Sequence, residues 1–280
     1  MIGPDHLARV TAQAVVPEQV IPYVRAVAGT RPCLVGPCVG YAFQDAFTVV
    51  GYPLLDPRDE DAMARAVEQA LGTPGLRRIT VMGPALPPQA PPGSCVRADQ
   101  YLSVPVPPPG PGQKLRNLLG RPGRELRVEQ GGTLGEAHRA LIRRYLDRKA
   151  LSLGTRRIYG RLPQYLAASP GSVLLSARLA DGRLAAFAVG EFSSLHTAMY
   201  MFAFRDPEAA PPGSSDLLLS HLLEEARIRG QARMNLGLGV NPGIRSFKAK
   251  WGAGPFLPYV EASWDITPSA TRRLRDAPAR

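Results

Sequence analysis

A chain of 280 residues, 45% of them hydrophobic, is long enough to bury a sizeable core and suits two modest domains better than one. No run of eighteen apolar residues occurs, and the N-terminal MIGPDHLARV lacks the apolar centre of a signal peptide, so a cytoplasmic protein without a membrane span is expected. Cys33, Cys38 and Cys95 form no C-x-x-C and stand apart from the histidines, which argues against both a disulfide framework and a metal site. The formal charge is +11, and residues 114–161 alone hold thirteen Lys or Arg against four Asp or Glu, a net of +9. Such a field attracts an anionic partner: a nucleotide cofactor, a transfer RNA or an acidic acyl carrier protein.

In chain order, the apolar runs 33–39 and 46–53 around Gly40 and Gln44–Asp45 predict a hairpin. Residues 56–72 follow as an amphipathic helix, with Met63, Ala66, Val67 and Leu71 on one face and Asp59 to Asp61 at its start. A strand over 77–82 leads to the proline-rich PALPPQAPPG, a short apolar run over 101–106 and a second proline-rich break. That break sets the expected division: a first domain at 1–106, a linker at 107–112, a second domain at 113–266 and a basic, disordered tail at 267–280.

The second half opens with a helix over 114–119 and a strand over 125–129. Thr133 with Glu136 forms a capping-box pattern ahead of a helix that carries Leu141, Ile142, Tyr145 and Leu146 on one face. The period then changes, and 173–179, 184–192 and 197–204 read as three antiparallel strands, the first pair joined by Asp181–Gly182. Ser215 is the expected cap of a helix built on Leu218, Leu219, Leu222, Leu223 and Ala226, with Gly230 ending it. A strand over 234–238, a short segment rich in glycine and lysine, and a last strand over 259–264 complete the domain.

The most informative stretch is 233–259, RMNLGLGVNPGIRSFKAKWGAGPFLPY. Gly237, Gly239 and Gly243 allow close backbone approach or positive φ, and Lys248 and Lys250 beside an opened turn can meet a phosphate or a developing oxyanion. Asn235, Gly237, Gly239, Asn241, Gly243 and Lys250 are therefore candidate donor-binding residues. The order helix, meander, helix, strand, short helix, strand resembles the GNAT N-acyltransferase fold, a mixed α/β architecture. The FKAKWG run is similar to the FK-x-x-(W/F)-G closing motif of the Fem-type branch, the peptidoglycan-bridge aminoacyltransferases, and KLRNLLGRPGRELRVEQ resembles its opening.

The resemblance implies a tandem of GNAT-like domains with a reduced N-terminal copy. It also implies a donor lying between the strands at 197–204 and 234–238, no tightly bound cofactor, and acyl-CoA or aminoacyl-tRNA as donor substrate. Lys248, matching the motif lysine, would contact donor phosphate or the reacting carbonyl. Acyl transfer to a small-molecule or peptide amine also needs a proton donor, for which Tyr200 and Tyr259 are candidates, and a base, for which Glu191 and Asp216 are. One departure stands out. CoA-dependent members carry an (R/Q)-x-x-G-x-(G/A) turn whose amides cradle pyrophosphate, whereas this chain has APPGSSD, leaving Gly213, Ser214 and Ser215 as the candidate phosphate contacts. A binding module without catalysis, directed at nucleic acid or a protein partner, is the remaining alternative.

Overall fold

The computed structural model describes residues 4–110 and 112–266, so the segment 267–280 lies outside the described residues. The chain forms two compact units, Met1–Gln13 with Gly29–Tyr101 and Pro255–Arg280, and Ala14–Ala28 with Leu102–Gly254. Helix α1 (Pro4–Ala12) falls in unit 1 and α2 (Ile21–Ala28) in unit 2. This corrects the linear division at 107–112, and two packing demands explain it. Val27 of α2 is needed in the unit 2 core beside Leu162 and Tyr165, and the final strand completes a ladder in unit 1.

Unit 1 begins with β1 (Arg31–Val35), β2 (Cys38–Phe43) and β3 (Ala46–Val50), an antiparallel meander rather than the expected hairpin. Gly36, at φ +55, breaks the apolar run 33–39 into two strands, with Val35 opposite Cys38. Helix α3 (Glu60–Leu71) is capped by Asp59, whose carboxylate accepts the Ala62 amide at 2.8 Å, and it buries Met63, Ala66, Val67 and Ala70 against Val49, Ile79 and Val81. Strand β4 (Arg78–Gly83) then runs parallel to β3 over five positions, from Ala46↔Arg78 to Val50↔Met82. On its other side lies β11 (Gly254–Asp265), antiparallel from Val260↔Gly83 to Asp265↔Arg78, followed by the first part of β5 (Cys95–Pro105).

Unit 2 holds α4 (Gln113–Gly120), α5 (Pro122–Glu125), β6 (Leu126–Gly131), α6 (Glu136–Arg148), α7 (Leu153–Gly160) and α8 (Leu162–Ala168). The meander β7 (Ser172–Leu179), β8 (Leu184–Glu191) and β9 (Thr197–Arg205) comes next, then α9 (Ser214–Ile228), β10 (Arg233–Leu238) and α10 (Pro242–Ala249). The antiparallel neighbours run β6-β7-β8-β9, and β10 joins β9 in parallel. Side chains alternate across β8. Ala186 and Ala188 join the core under Leu218, Leu219 and Leu222 of α9, while Phe187 and Val189 join Leu141, Ile142 and Leu162 on the opposite face.

Both units thus repeat one order: meander, helix, parallel strand. They differ at the last pairing, which spans five positions in unit 1 but three in unit 2, Arg233↔Thr197, Met234↔Ala198 and Asn235↔Met199. The divergence of β9 from β10 expected from the sequence is therefore present. A register shift in β9 contributes to it, because Val189 faces Phe202 and Gly190 faces Tyr200, so Met201 is the extra residue of a bulge that bends the strand.

Two local expectations change. The start of α6 is capped at Gly135 rather than Thr133, and the Gly135 amide donates to His138 Nδ1 at 3.1 Å. Helices α7 and α8 were not expected; α7, LGTRRIYG, buries no residue and so shows no apolar stripe.

His138 is buried, meets the Phe187 ring edge-on at 5.1 Å and lies 2.8 Å from Ser176 Oγ through Nε2. Burial first, then Arg178 and Arg139, hold its pKa below the ordinary 6.5. The unfolded chain therefore takes up this proton at a higher pH than the folded one, and the stability present at neutral pH declines as pH falls below 6.5. Urea unfolding at about pH 7.5 and about pH 5.5 should show this loss in the wild type and a smaller one in His138→Gln. Equal pH dependence in the two proteins would assign the effect to another group.

Candidate active site

The end of β10 turns away from the ladder at Gly237, whose φ of +79 is open to glycine and strained for other residues. Buried Asn235 fixes that turn from both ends of its amide: Oδ1 accepts the Gly237 amide at 2.8 Å, and Nδ2 donates to the Val15 carbonyl at 2.8 Å. One residue on, the Leu238 carbonyl accepts Lys248 Nζ at 2.6 Å. Lys248 is only 4% exposed, so its ammonium is aimed at the diverging strand and not at bulk water. A Cβ on Gly237 would lie 3.7 Å from that nitrogen.

Asn241 caps α10, with Oδ1 accepting the Ile244 amide at 3.0 Å, and Pro242 occupies the first helical position. Gly243 lies exposed in the first turn, and Gly239 leaves room for the Arg245 guanidinium, which a Cβ there would meet at 2.7 Å. The asparagines and glycines predicted as donor contacts therefore shape the turn that presents Lys248.

Lys250 does something other than predicted. Its Nζ lies 2.7 Å from Asp216 Oδ1 and 2.8 Å from Oδ2, and 5.1 Å from the centre of the Phe247 ring. The Trp251 indole donates to the same carboxylate at 2.9 Å. Lys250, half-buried, and Asp216, buried, are consequently partners in a clamp between α9 and the end of α10, which corrects the reading of one as a free anion contact and of the other as a base. Phe247 in turn stacks on Tyr200, with centroids 6.2 Å apart and planes at 24°. The Tyr200 ring is half-buried, but its hydroxyl is shielded and makes no hydrogen bond. Burial, and then the charge of Asp216, push this phenol well up, so it stays protonated.

Two other predicted residues serve elsewhere. Glu191 is 1% exposed and saturated with donors: Oε2 accepts Tyr165 at 2.8 Å and Ser169 at 2.6 Å, and Oε1 accepts the Ser193 amide and hydroxyl at 3.0 and 2.6 Å. With no oxygen left to take a proton, it is a structural knot, not a base. Tyr259 belongs to unit 1, where its hydroxyl donates to Glu261 Oε2 at 2.8 Å and its ring meets Tyr101 edge-on.

The expected phosphate turn is filled by the protein itself. Gly213, at φ +87, occupies the N-cap position of α9 in place of Ser215, and a Cβ there would lie 2.6 Å from the Leu118 carbonyl of α4. Buried Ser214 donates to the Pro211 carbonyl. Asp216, in the first turn, places a carboxylate at the positive end of the helix. Ser215 lines an open cleft. The Asp216 clamp and the Phe247–Tyr200 stack were missed; the F-K-x-K-W spacing, which sets ring, cation and indole on one short helix and its end, was the available signal. Among the described residues no group of three His, Cys, Asp or Glu is placed to hold a metal, and no helix is long and apolar enough to cross a membrane.

Residues 112–248 match the family described as acetyltransferase (GNAT) domain. Among solved structures, the chain is similar to the C-terminal domain of an Agrobacterium fabrum protein assigned as a lysylphosphatidylglycerol synthetase, at 17% identity and a TM-score of 0.63, covering 96% of this chain and 94% of that one. It is also similar to FemX, at 9% identity and 0.65 with 98% of each chain covered. A tandem GNAT protein from the clavulanic acid biosynthesis pathway aligns at 15% identity and 0.50, over 84% of this chain and 80% of that one. At these identities the likeness is one of fold. No curated protein sequence matches the chain.

If Glu191 is a structural knot, Glu191→Ala strands three side-chain donors and should lower unfolding free energy by about 3 kcal/mol or more. Turnover per folded molecule should stay within about twofold of wild type. A stable variant with abolished turnover would restore Glu191 as a base.

Proposed function

Because the chain carries a GNAT acetyltransferase-type domain over residues 112–248, we propose that it transfers an aminoacyl group from an aminoacyl-tRNA ester to an amine, with the ester carbonyl in the opening between β9 and β10. The acyltransferase class comes with the domain; the donor and acceptor are the added steps. One observation carries the choice of donor. The N-terminus of α9, where CoA-dependent enzymes of this fold hold pyrophosphate, already contains the Asp216 carboxylate and is packed against the Leu118 carbonyl. A pyrophosphate brought there would have to displace the Leu118 contact and compete with the Asp216 carboxylate for the Lys250 ammonium and the helix end. A donor whose phosphates lie elsewhere avoids that conflict, and the fold shared with FemX supports the same direction.

The chemistry balances with two side chains. The amine nitrogen attacks the ester carbon, and negative charge gathers on the carbonyl oxygen, which the Lys248 ammonium stabilises. The carbon–oxygen bond to the ribose then breaks. Tyr200, kept protonated by burial, gives its proton to the departing oxygen and regains one from the nitrogen that has become an amide. No general base beyond Tyr200 is required.

The test is transfer from radiolabelled aminoacyl-tRNA to a panel of amines, run beside acetyl-CoA. Lys248→Ala and Tyr200→Phe should each lower kcat/KM by at least about tenfold, equivalent to about 1.4 kcal/mol of transition-state stabilisation, with unchanged circular dichroism. Saturable turnover of acetyl-CoA with none of aminoacyl-tRNA would overturn the donor. Full activity in both variants would remove the two residues from the chemistry.

A further inference from the structure

A groove of about 340 Å³ lies at the C-terminal end of β9, on the side covered by α6. Its floor is apolar, formed by buried Leu141 and Phe204 and by half-buried Tyr145, whose ring meets Phe204 edge-on at 5.3 Å. Exposed Arg144, Arg148, Lys149 and Arg205 stand on the rim, and Ser215 comes from the first turn of α9.

Two of the rim cations are held in place. Arg144 Nη1 lies 2.7 Å from Asp206 Oδ2, and Arg148 Nη2 lies 2.7 Å from Glu208 Oε1. Asp206 is largely buried and also accepts the backbone amides of Glu208 and Ala209, so it orients Arg144 from below while the Arg144 side chain stays 58% exposed. A second cleft, of about 270 Å³, shares Leu141 and Arg144 and adds Arg178 and Arg183. The lining of the two clefts runs along α6 from Ala137 to Lys149, about 18 Å at the helical rise.

Cations spaced along a track, with an aromatic ring set between them, match what single-stranded nucleic acid needs: charge for successive phosphates and a flat apolar surface for a base. A free phosphate would have no use for Tyr145. We propose that this groove binds single-stranded RNA, taking a base against Tyr145 and the adjoining phosphates on Arg144, Arg148, Lys149 and Arg205. The proposal rests on the aminoacyl-tRNA reading, and it assigns the groove to the unpaired 3′ end of that donor.

The experiment measures anisotropy of a labelled single-stranded oligoribonucleotide ending in CCA, titrated with the full chain at several salt concentrations. Lys149→Gln with Arg205→Gln should weaken binding at least about tenfold at about 50 mM salt and lower the slope of log affinity against log salt by about 1.4, for two lost contacts. Tyr145→Leu should weaken binding about fivefold or more with little change in slope. Arg227→Gln, on α9 and outside the lining of both clefts, should leave both unchanged, and circular dichroism checks each fold.

Undiminished binding in both groove variants, or an equal loss in the control, would overturn the proposal. So would displacement of the oligonucleotide by an acidic carrier protein but not by unlabelled RNA. Transfer assays run in parallel separate the two readings. Wild-type transfer from aminoacyl-tRNA with unaltered KM in the groove variants would refute the groove alone. Groove-dependent RNA binding without any such transfer would refute the function alone.

Discussion

A parallel strand pair that stops after three positions leaves backbone donors and acceptors without ladder partners, and the candidate site is built from what replaces them. The Gly237 amide turns to its neighbour Asn235, and the Leu238 carbonyl draws in the ammonium of Lys248. The same parting that opens the ladder thus draws the buried Lys248 ammonium to its edge. Unit 1 supplies the contrast. Its corresponding strands pair over five positions, along the whole length of β3.

Holding a lysine in that position requires α10 to be rigid, and α10 is short. The clamp on Asp216 supplies the rigidity: one carboxylate takes both the Lys250 ammonium and the Trp251 indole, while Phe247 lies against Tyr200. These contacts share partners, so their contributions are not additive. Removing Asp216 would release a half-buried cation and a buried indole donor together, and would also take away a charge that adds to the burial keeping Tyr200 protonated. One side chain that touches neither proposed reacting bond thus holds α10 in position and adds, after burial, to what keeps Tyr200 protonated.

Much of this was legible in the residues. Alternation over β7 to β9, the apolar stripe of α9 and the glycines around β10 each follow a local rule, and the structure has them close to where the patterns put them. The failures concern partners distant in sequence. Glu191 looked like a base because a lone carboxylate at a strand end carries no mark of the four donors that converge on it from 165, 169 and 193. Lys250 looked free because its partner lies 34 residues away. Likewise, the unit boundary could not be read from proline-rich breaks, since it is set by which ladder β11 joins and which core α2 fills.

The interleaving of the units also orders events during synthesis. Strand β11 sits between β4 and β5 and pairs with β4 across separations as large as the one between Arg78 and Asp265. Unit 2 ends at Gly254, before most of β11 has emerged from the ribosome. The second unit can therefore close while the first still exposes two unsatisfied strand edges, each a template for wrong pairing. A long-range insertion of this kind is slow compared with local helix and hairpin formation. The reduced copy, which holds none of the proposed chemistry, is thus the portion of the nascent chain in greatest need of protection by chaperones.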